Sequence, residues 1–599
     1  MSSSMATSPC VLCNNFPPPT SWIDILMLKF TPRALVDAVK AGCPMCKLVL
    51  DGLVHFKPKF GPIADLEELR LENYNHTFEI SGYSKNEVLK MRFAFFTTPA
   101  DNTLDDLQPL PLSLEPLYSR LVSQPTISGD TASESAFEWA SRTLRNCINS
   151  HKKCKLDRNT KLPTRVLDVG ASQQSSLENA IEVKLVQSSG FSAQYACLSH
   201  CWGTSKQITT TSKNMDAHMK GIAWESLPKT FHDAIVFTRR LRLRYLWIDS
   251  LCIIQDDKND WAKESAQMAA IYQNSYITLV ATKSGNGSGG CFSSATPMDQ
   301  DHPLTPPFVE SIAGEEKSIT RSRIFVREQL VHFNDINTTE HPLISRGWVY
   351  QERLLAPRVL HFCAKELVWE CQEGVDCECN NYDSAPMKEL EKFKVAEMLE
   401  DWALPKRRHQ TRRPVTLLWH QMVQRYSRLA LTKRSDKLPA IAGLAREIGR
   451  CKPGKYLAGL WEDSLYDDLL WEADDKCAER LGSYRAPSWS WASVNGSVRF
   501  SLPGEGTISD GFLVLGAICT PIREGDDYGE LREAHLDIKA QLTPAKIVYG
   551  PKLALHDDTT TVGHQGEHTF LDFDGVSLRS LETDYCLMRK GTDTSPTGK

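Results

Sequence analysis

The chain lacks several things that would otherwise decide its class. No uninterrupted apolar run approaches the roughly 20 residues of a membrane span. The opening MSSSMATSPC has neither the charged n-region nor the apolar h-region of a secretory signal. There is no long basic run, and the net charge is −5, so composition gives no electrostatic drive toward nucleic acid or an anionic membrane. No P-loop pattern is present, which argues against a fused nucleotide-switch module of that kind. There is no internal repeat and no long low-complexity tract, although the last ten or so residues read as frayed.

What remains is 599 residues, 41% hydrophobic and 24% charged. That is too long for one core and suggests roughly two to four globular domains. Eighteen cysteines without a signal peptide point to a reducing, cytoplasmic compartment. There cysteines are buried thiols, metal ligands or reactive groups rather than disulfides.

The most informative stretch is Leu243–Ala281. The apolar run Tyr245-Leu246-Trp247-Ile248 stops at Asp249-Ser250. After a polar turn, Asp260 is placed to cap a helix whose periodic positions are Trp261, Glu264, Ser265, Met268, Ile271 and Tyr272. A second run, Tyr276–Ala281, is apolar on both faces, as a strand inside a covered sheet requires. Upstream, Tyr195-Ala196-Cys197-Leu198 reads as another strand, followed after a long connection by a helix with Phe231, Ala234, Ile235, Thr238 and Leu241 on one face. The sum over 193–281 is β-α-β-α-β, the pattern of a doubly wound parallel sheet. Ligands of such sheets bind beyond the carboxyl ends of the strands. Two strands here end in reactive-looking clusters, Ser199-His200-Cys201 and Asp249-Ser250-Leu251-Cys252. Glu264 falls on the apolar face of its helix, where a carboxylate needs a reason to be.

Metal-ligand spacing occurs at the N-terminus. Cys10-Val-Leu-Cys13 and Cys43-Pro-Met-Cys46 have the ligand count and local geometry of a zinc site, against the alternative of two unrelated pairs of buried thiols. Cys147, His151 and Cys154 share one helix face. They could supply ligands, but a helix packing its cysteines inward is the simpler reading. Gly285-Asn-Gly287-Ser-Gly289-Gly290 formally contains GxGxxG, but loop chemistry follows where a dinucleotide site needs a helix, so a flexible surface loop is expected. The basic patch Lys406-Arg407-Arg408 with Arg412 and Arg413 reads as a solvated face. The expected domains are an N-terminal region with paired CxxC over 1–130, a helical or linker segment over 131–185, an α/β core over 186–380 and an α+β accessory region over 381–599.

Three separated blocks in order resemble the fungal heterokaryon incompatibility (HET) domain. They are Tyr195-Ala-Cys-Leu-Ser-His-Cys-Trp-Gly203, then Tyr245-Leu-Trp-Ile-Asp-Ser-Leu-Cys-Ile253 with Gln255-Asp256, Met268 and Ile271-Tyr272, and lastly Arg346-Gly-Trp-Val-Tyr-Gln-Glu352. The flanking Tyr484-Arg-Ala-Pro-Ser-Trp-Ser-Trp-Ala-Ser493 element is also similar to one seen in that family. One departure is His200, where the family often has an aromatic. The resemblance implies a fungal, intracellular protein of non-self recognition and programmed cell death. Its partners would be further copies of itself and other incompatibility proteins. It also implies a flavodoxin-like core comparable with Toll/interleukin-1 receptor (TIR) domains, some of which hydrolyse NAD⁺ with a glutamate.

On that comparison Glu264 is the expected catalytic carboxylate, its place on an apolar face implying burial and a raised pKa. Asp249 and Ser250 would line the ribose pocket, Ser199 and Trp202 the other end of the ligand. Arg346 and Glu352 complete the expected ligand-binding set. The competing reading makes Glu264 an ion-pair partner of an arginine such as Arg346, within a non-enzymatic module that works by self-association. Nucleophilic hydrolysis by Ser199 or Cys201 with His200 is disfavoured, because neighbouring strand residues such as Ser199 and His200 point to opposite faces and no GxSxG elbow exists.

Overall fold

The computed structural model describes residues 10–12, 26–56, 67–74, 77–83, 88–98, 122–155, 160–170, 182–203, 207–296, 300–304, 324–328, 330, 332, 339–380, 392–403, 413–473, 483–500, 513–539, 542–548 and 565–571. The fold is mixed α/β. Among the described residues no helix is long and apolar enough to cross a membrane.

At the centre lies an eight-stranded sheet. Its strands are β1 (Arg165–Asp168), β2 (Lys184–Gln187), β3 (Tyr195–Ser199), β4 (Tyr245–Ile248), β5 (Ile277–Val280), β6 (Arg358–Phe362), β7 (Leu367–Cys371) and β8 (Val375–Cys377). The spatial order is β8-β7-β6-β5-β3-β4-β1-β2. β4, β3, β5 and β6 run parallel, while β1, β2, β7 and β8 extend the two sides antiparallel. Every residue of β3, β5, β6 and β7 is buried, so these strands read as continuous apolar runs rather than alternating ones. The expected strands at Tyr195, Tyr245 and Tyr276 are all present and parallel, and 358–371 folds as an antiparallel hairpin.

Helices cover both faces. Next to the sheet are α1 (Glu134–Ser150), α2 (Lys229–Arg240), the single turn α3 (Asp249–Cys252), α4 (Lys258–Gln273) and α5 (Gly347–Leu355). Tyr272 of α4 meets Trp247 edge-on at 5.7 Å, and Tyr195 donates its hydroxyl to Ile271 O at 2.6 Å. On the opposite face Phe237 of α2 meets Phe362 at 5.1 Å and Phe137 of α1 at 5.4 Å. The chain thus passes in front of the sheet after β3 and behind it after β4. In spatial order the four parallel strands run second, first, third, fourth, which opens a crevice between β3 and β5 at their carboxyl ends. The N-cap of α4 is Asp257, not Asp260: Asp257 accepts from Asn259 N and Asp260 N, while Asp260 turns to Arg165 and Ile254 N.

The N-terminal region forms a second sheet, of strands Leu26–Phe30, Glu68–Tyr74, Thr77–Tyr83 and Val88–Thr97, with Val122–Ser123 alongside the last. It is completed from far along the chain by Ile324–Glu328 and His302–Leu304, which leave the central domain between β5 and α5. The C-terminal region packs around Trp419, Trp461, Trp471 and Trp491, each at most 1% exposed. Burying such side chains supplies roughly 1.5–3 kcal/mol apiece at the least. It docks on the outer side of α4 and α5 through Gly443, where a Cβ would stand 2.5 Å from Ala269 Cβ and 2.7 Å from Leu355 Cδ1. Arg485 of the Tyr484–Ser493 element is buried and bonds Ala492 O, Val494 O and Arg434 O. Of the basic patch, 406–408 and Arg412 lie outside the described residues.

Candidate active site at the carboxyl edge of the sheet

β3 and β4 are parallel neighbours with Leu198 opposite Ile248, so Ser199 and Asp249 leave the sheet side by side. Alternation then sends Ser199 toward α5 and His200 toward α2. Ser199 Oγ donates to Glu352 Oε2 at 2.5 Å. His200 packs edge-on against Phe231 at 5.0 Å and shares a hydrogen bond with Gln207 Nε2 at 2.9 Å. The two residues do not pair, as the alternation argument expects. Burial holds His200 below its ordinary pKa, despite Asp249 Oδ1 3.7 Å from its Nδ1. Burial also pushes the Cys201 thiol up, which makes it a poor nucleophile.

Asp249 sits at the mouth of the crevice with 27% of its side chain exposed. Its Oδ2 accepts from Trp202 Nε1 at 2.9 Å and its Oδ1 from Ser250 N at 2.7 Å. Ser250 itself is fully buried in the turn, its carbonyl accepting from Thr210 N at 3.0 Å. Arg346 reaches across from the start of α5 and donates to His200 O at 2.9 Å. Ser199, Trp202, Asp249, Arg346 and Glu352 therefore form one cluster, contributed by three segments far apart in sequence.

Glu352 is strongly altered by its surroundings. Burial raises its carboxyl from 4.5 to about 7; the neighbouring Asp249 adds to the rise, while Ser199, Arg346 and Tyr272 oppose it. Tyr272 was visible in the sequence only as a core position of α4. Its hydroxyl lies 3.5 Å from Leu198 O and interacts with Glu352, so it belongs to the same group.

Glu264 is turned inward and is fully buried, and burial raises its pKa. Its arginine is Arg165, at 4.0 Å, and not Arg346. Arg165 opens β1, which runs antiparallel to β4, so the pair lies level with the carboxyl end of β4. It stands on the far side of β4 from Ser199, two strand spacings or roughly 10 Å across the sheet, under the turn α3. Arg165 also donates to Cys252 O at 2.7 Å and to Asp260.

The glycine-rich loop 285–290 is not followed by a helix. It is, however, pinned. Thr230 N donates to Gly287 O at 3.0 Å, Gly290 N to Thr230 Oγ1 at 3.1 Å, and Asp233 Oδ2 takes the N–H groups of Cys291 and Phe292. It forms a fixed wall of the crevice. Gly203 lies against it with φ +72°, and a Cβ there would stand 2.4 Å from Asn286 Cβ. The expected flexible loop is thus a held one, because its own backbone is hydrogen-bonded to α2.

Three of the four N-terminal CxxC thiols, Cys10, Cys43 and Cys46, lie within 4.8 Å of one another, a donor set able to hold a metal ion. Cys10 Sγ and Cys46 Sγ are 3.9 Å apart, and Cys43 caps the helix Pro44–His55. Cys13 lies outside the described residues. No disulfide occurs among the described residues.

The architecture is that of an α/β protein with a polar cluster at the carboxyl edge of its sheet. Residues 195–352 match the family model described as heterokaryon incompatibility protein (HET), from the first residue of β3 to Glu352 itself. That stretch of the chain is therefore similar to the HET domain of heterokaryon incompatibility proteins. No curated protein and no solved structure matches it.

Proposed function

We propose that this protein is a cytoplasmic effector of fungal non-self recognition whose HET domain cleaves the N-glycosidic bond of NAD⁺ and so drives growth arrest or cell death. The observation that carries the reading is the neighbouring pair of acids at the crevice, partly exposed Asp249 and buried Glu352, bridged to the strand ends by Trp202 and Ser199. The second-first-third-fourth strand order supports a flavodoxin-like comparison, and through it the TIR analogy.

In the reaction the electron pair of the C1′–N bond passes to the pyridinium nitrogen, so nicotinamide leaves neutral. The ribosyl cation left behind is met by a fixed carboxylate and then by water, whose proton is released to a base. Asp249, open to the crevice, faces that cation. Glu352, poised near neutrality, takes the proton through Ser199. Trp202, Arg346 and the Ser250 turn line the ligand. Glu264 is fully buried away from this cluster, so its variant separates two versions of the mechanism. The test is nicotinamide release by the full chain at high protein concentration, beside Asp249→Asn, Glu352→Gln and Glu264→Gln. Loss with Asp249→Asn and Glu352→Gln supports this assignment, and loss with Glu264→Gln alone moves the catalytic carboxylate there. No release from folded, self-associating protein removes the enzyme.

The second reading, an adaptor working by self-association, draws on the strand Leu513–Pro521, where Leu513, Val514, Leu515 and Ile518 are each at least 40% exposed. We further propose that Cys10, Cys13, Cys43 and Cys46 hold a structural zinc ion. Substoichiometric metal in protein prepared without chelator, unchanged by Cys43→Ser with Cys46→Ser, would end that proposal.

A further inference from the structure

A second set of thiols meets where the sequence gives no local reason for it. Cys147 lies in the last turn of α1, His151 is the residue that ends this helix, and Cys154 follows in the next turn. Cys371 is the last residue of β7, more than two hundred positions on. Their ligand atoms all lie within 4.8 Å of one another. Cys371 Sγ is 3.3 Å and Cys154 Sγ 3.9 Å from His151 Nδ1. Zinc–sulfur bonds of about 2.3 Å and zinc–nitrogen bonds of about 2.1 Å give a tetrahedron sulfur–nitrogen edges near 3.6 Å. The two observed distances bracket that value.

The surroundings hold the four groups in place independently of one another. His151 N donates to Cys147 O at 3.0 Å, continuing the helix ladder. Arg358, from the neighbouring strand β6, donates to Cys154 O, and Cys371 N donates to Gly374 O at 2.8 Å in the turn after β7. Cys147, Cys154 and Cys371 are buried, and His151 is half-buried. Three thiolates and a neutral imidazole around zinc carry a net charge of −1. The buried Lys392, whose ammonium caps Arg353 O, Leu354 O and Ala356 O, interacts favourably with both Cys154 and Cys371.

We propose that Cys147, His151, Cys154 and Cys371 form a closed, structural Cys₃His zinc site that staples the helix preceding the HET domain to an outer strand of its sheet. With four protein ligands it has no open position, so it supplies folding energy and no Lewis-acid chemistry. It encloses everything from Cys154 to Cys371, the whole HET match, in one metal-closed loop. The other buried cluster, His332, Glu366, Cys377 and Cys379, differs in kind. Its two sulfurs are only 3.2 Å apart, closer than the roughly 3.8 Å of two thiolates on one tetrahedral zinc, and Glu366 is already held by His332 at 2.9 Å and Cys379 N at 2.9 Å.

The test uses the full chain with Cys43→Ser and Cys46→Ser, which removes the N-terminal cluster. This protein should retain one zinc per chain by elemental analysis. Exchange for cobalt(II) should give thiolate charge-transfer and tetrahedral d–d bands. His151→Ala should lower metal affinity at least tenfold, and His151→Cys should restore binding with a spectrum shifted toward four sulfur ligands. Cys371→Ser should lose the metal equivalent and the bands. Less than half an equivalent of metal in the parent, or full retention with tetrahedral bands in Cys371→Ser, overturns the site. Should Cys371→Ser fail to fold, the parent's metal content and the His151 pair still decide.

Discussion

Replacing Glu352 with glutamine should make the protein more resistant to unfolding at alkaline pH, although it removes a hydrogen-bonded acid from the centre of the site. Glutamine keeps the shape and can still accept from Ser199 Oγ through its carbonyl. It removes the need to ionise a carboxyl that burial has raised from 4.5 to about 7. Below pH 4.5 the carboxyl is protonated in folded and unfolded chains alike, and no penalty exists. Between 4.5 and 7 the unfolded chain ionises while the folded one stays protonated, so stability falls as pH rises. Above 7 both are ionised and the penalty is complete. At 1.36 kcal/mol per pH unit the interval corresponds to about 3 kcal/mol. The lost charge-assisted hydrogen bond offsets part of this, leaving about 1–2 kcal/mol. For a domain of this size that is roughly 2–8 °C in melting temperature. The assay is a pair of melting curves for wild type and Glu352→Gln at pH 5 and pH 8.5. Taking the difference between the two proteins cancels the other titrating groups. A difference that does not grow in favour of the glutamine variant from pH 5 to 8.5 refutes the claim that Glu352 is desolvated and near neutrality.

Other predictions follow from single contacts. His361 is fully buried between Thr282 Oγ1 and Glu370 Oε2, both at 2.9 Å, and burial lowers it from 6.5 to about 4. It therefore contributes stability that is intact above pH 6.5 and lost as pH falls toward 4, up to about 3 kcal/mol; His361→Gln should flatten the acid limb of the melting profile. Gly203→Ala forces a Cβ against Asn286 at positive φ and should cost about 1–3 kcal/mol, read by denaturant melts, with an effect under 0.5 kcal/mol speaking against the packed loop. Glu264→Gln should melt at or above wild type at pH 8, because burial disfavours its charge and Arg165 keeps Asp260 as partner; a loss above 2 kcal/mol would mean the Arg165 pair is worth more than its desolvation.

Much of the central domain was legible because its signals are local. The apolar runs at Tyr195, Tyr245 and Tyr276 are too continuous for half-exposed strands, and each became a buried parallel strand. The inward turn of Glu264 followed from its spacing to Met268 and Ile271. The adjacency of Ser199 and Asp249 followed from the rule that ligands gather at strand ends. What was not legible depends on distant pairing. Nothing near Glu264 says that its arginine comes from Arg165, at the head of an antiparallel side strand. Cys371 has no nearby ligand in sequence, so a set of three looked like packing until β7 supplied the fourth. Asp257 and Asp260 are both competent caps, and the choice fell to Asp257 because Arg165 engages the other.

The strand Ile324–Glu328 belongs to the HET match by position, yet its backbone partners are Val88–Thr97 at the front of the chain. Excising the HET domain would strip that strand of its neighbour and leave unpaired amides on a largely apolar segment, an invitation to aggregate. Fragment experiments on this protein should therefore keep the first hundred residues. Proteolysis between the two regions should leave the pieces associated, since the sheet itself joins them.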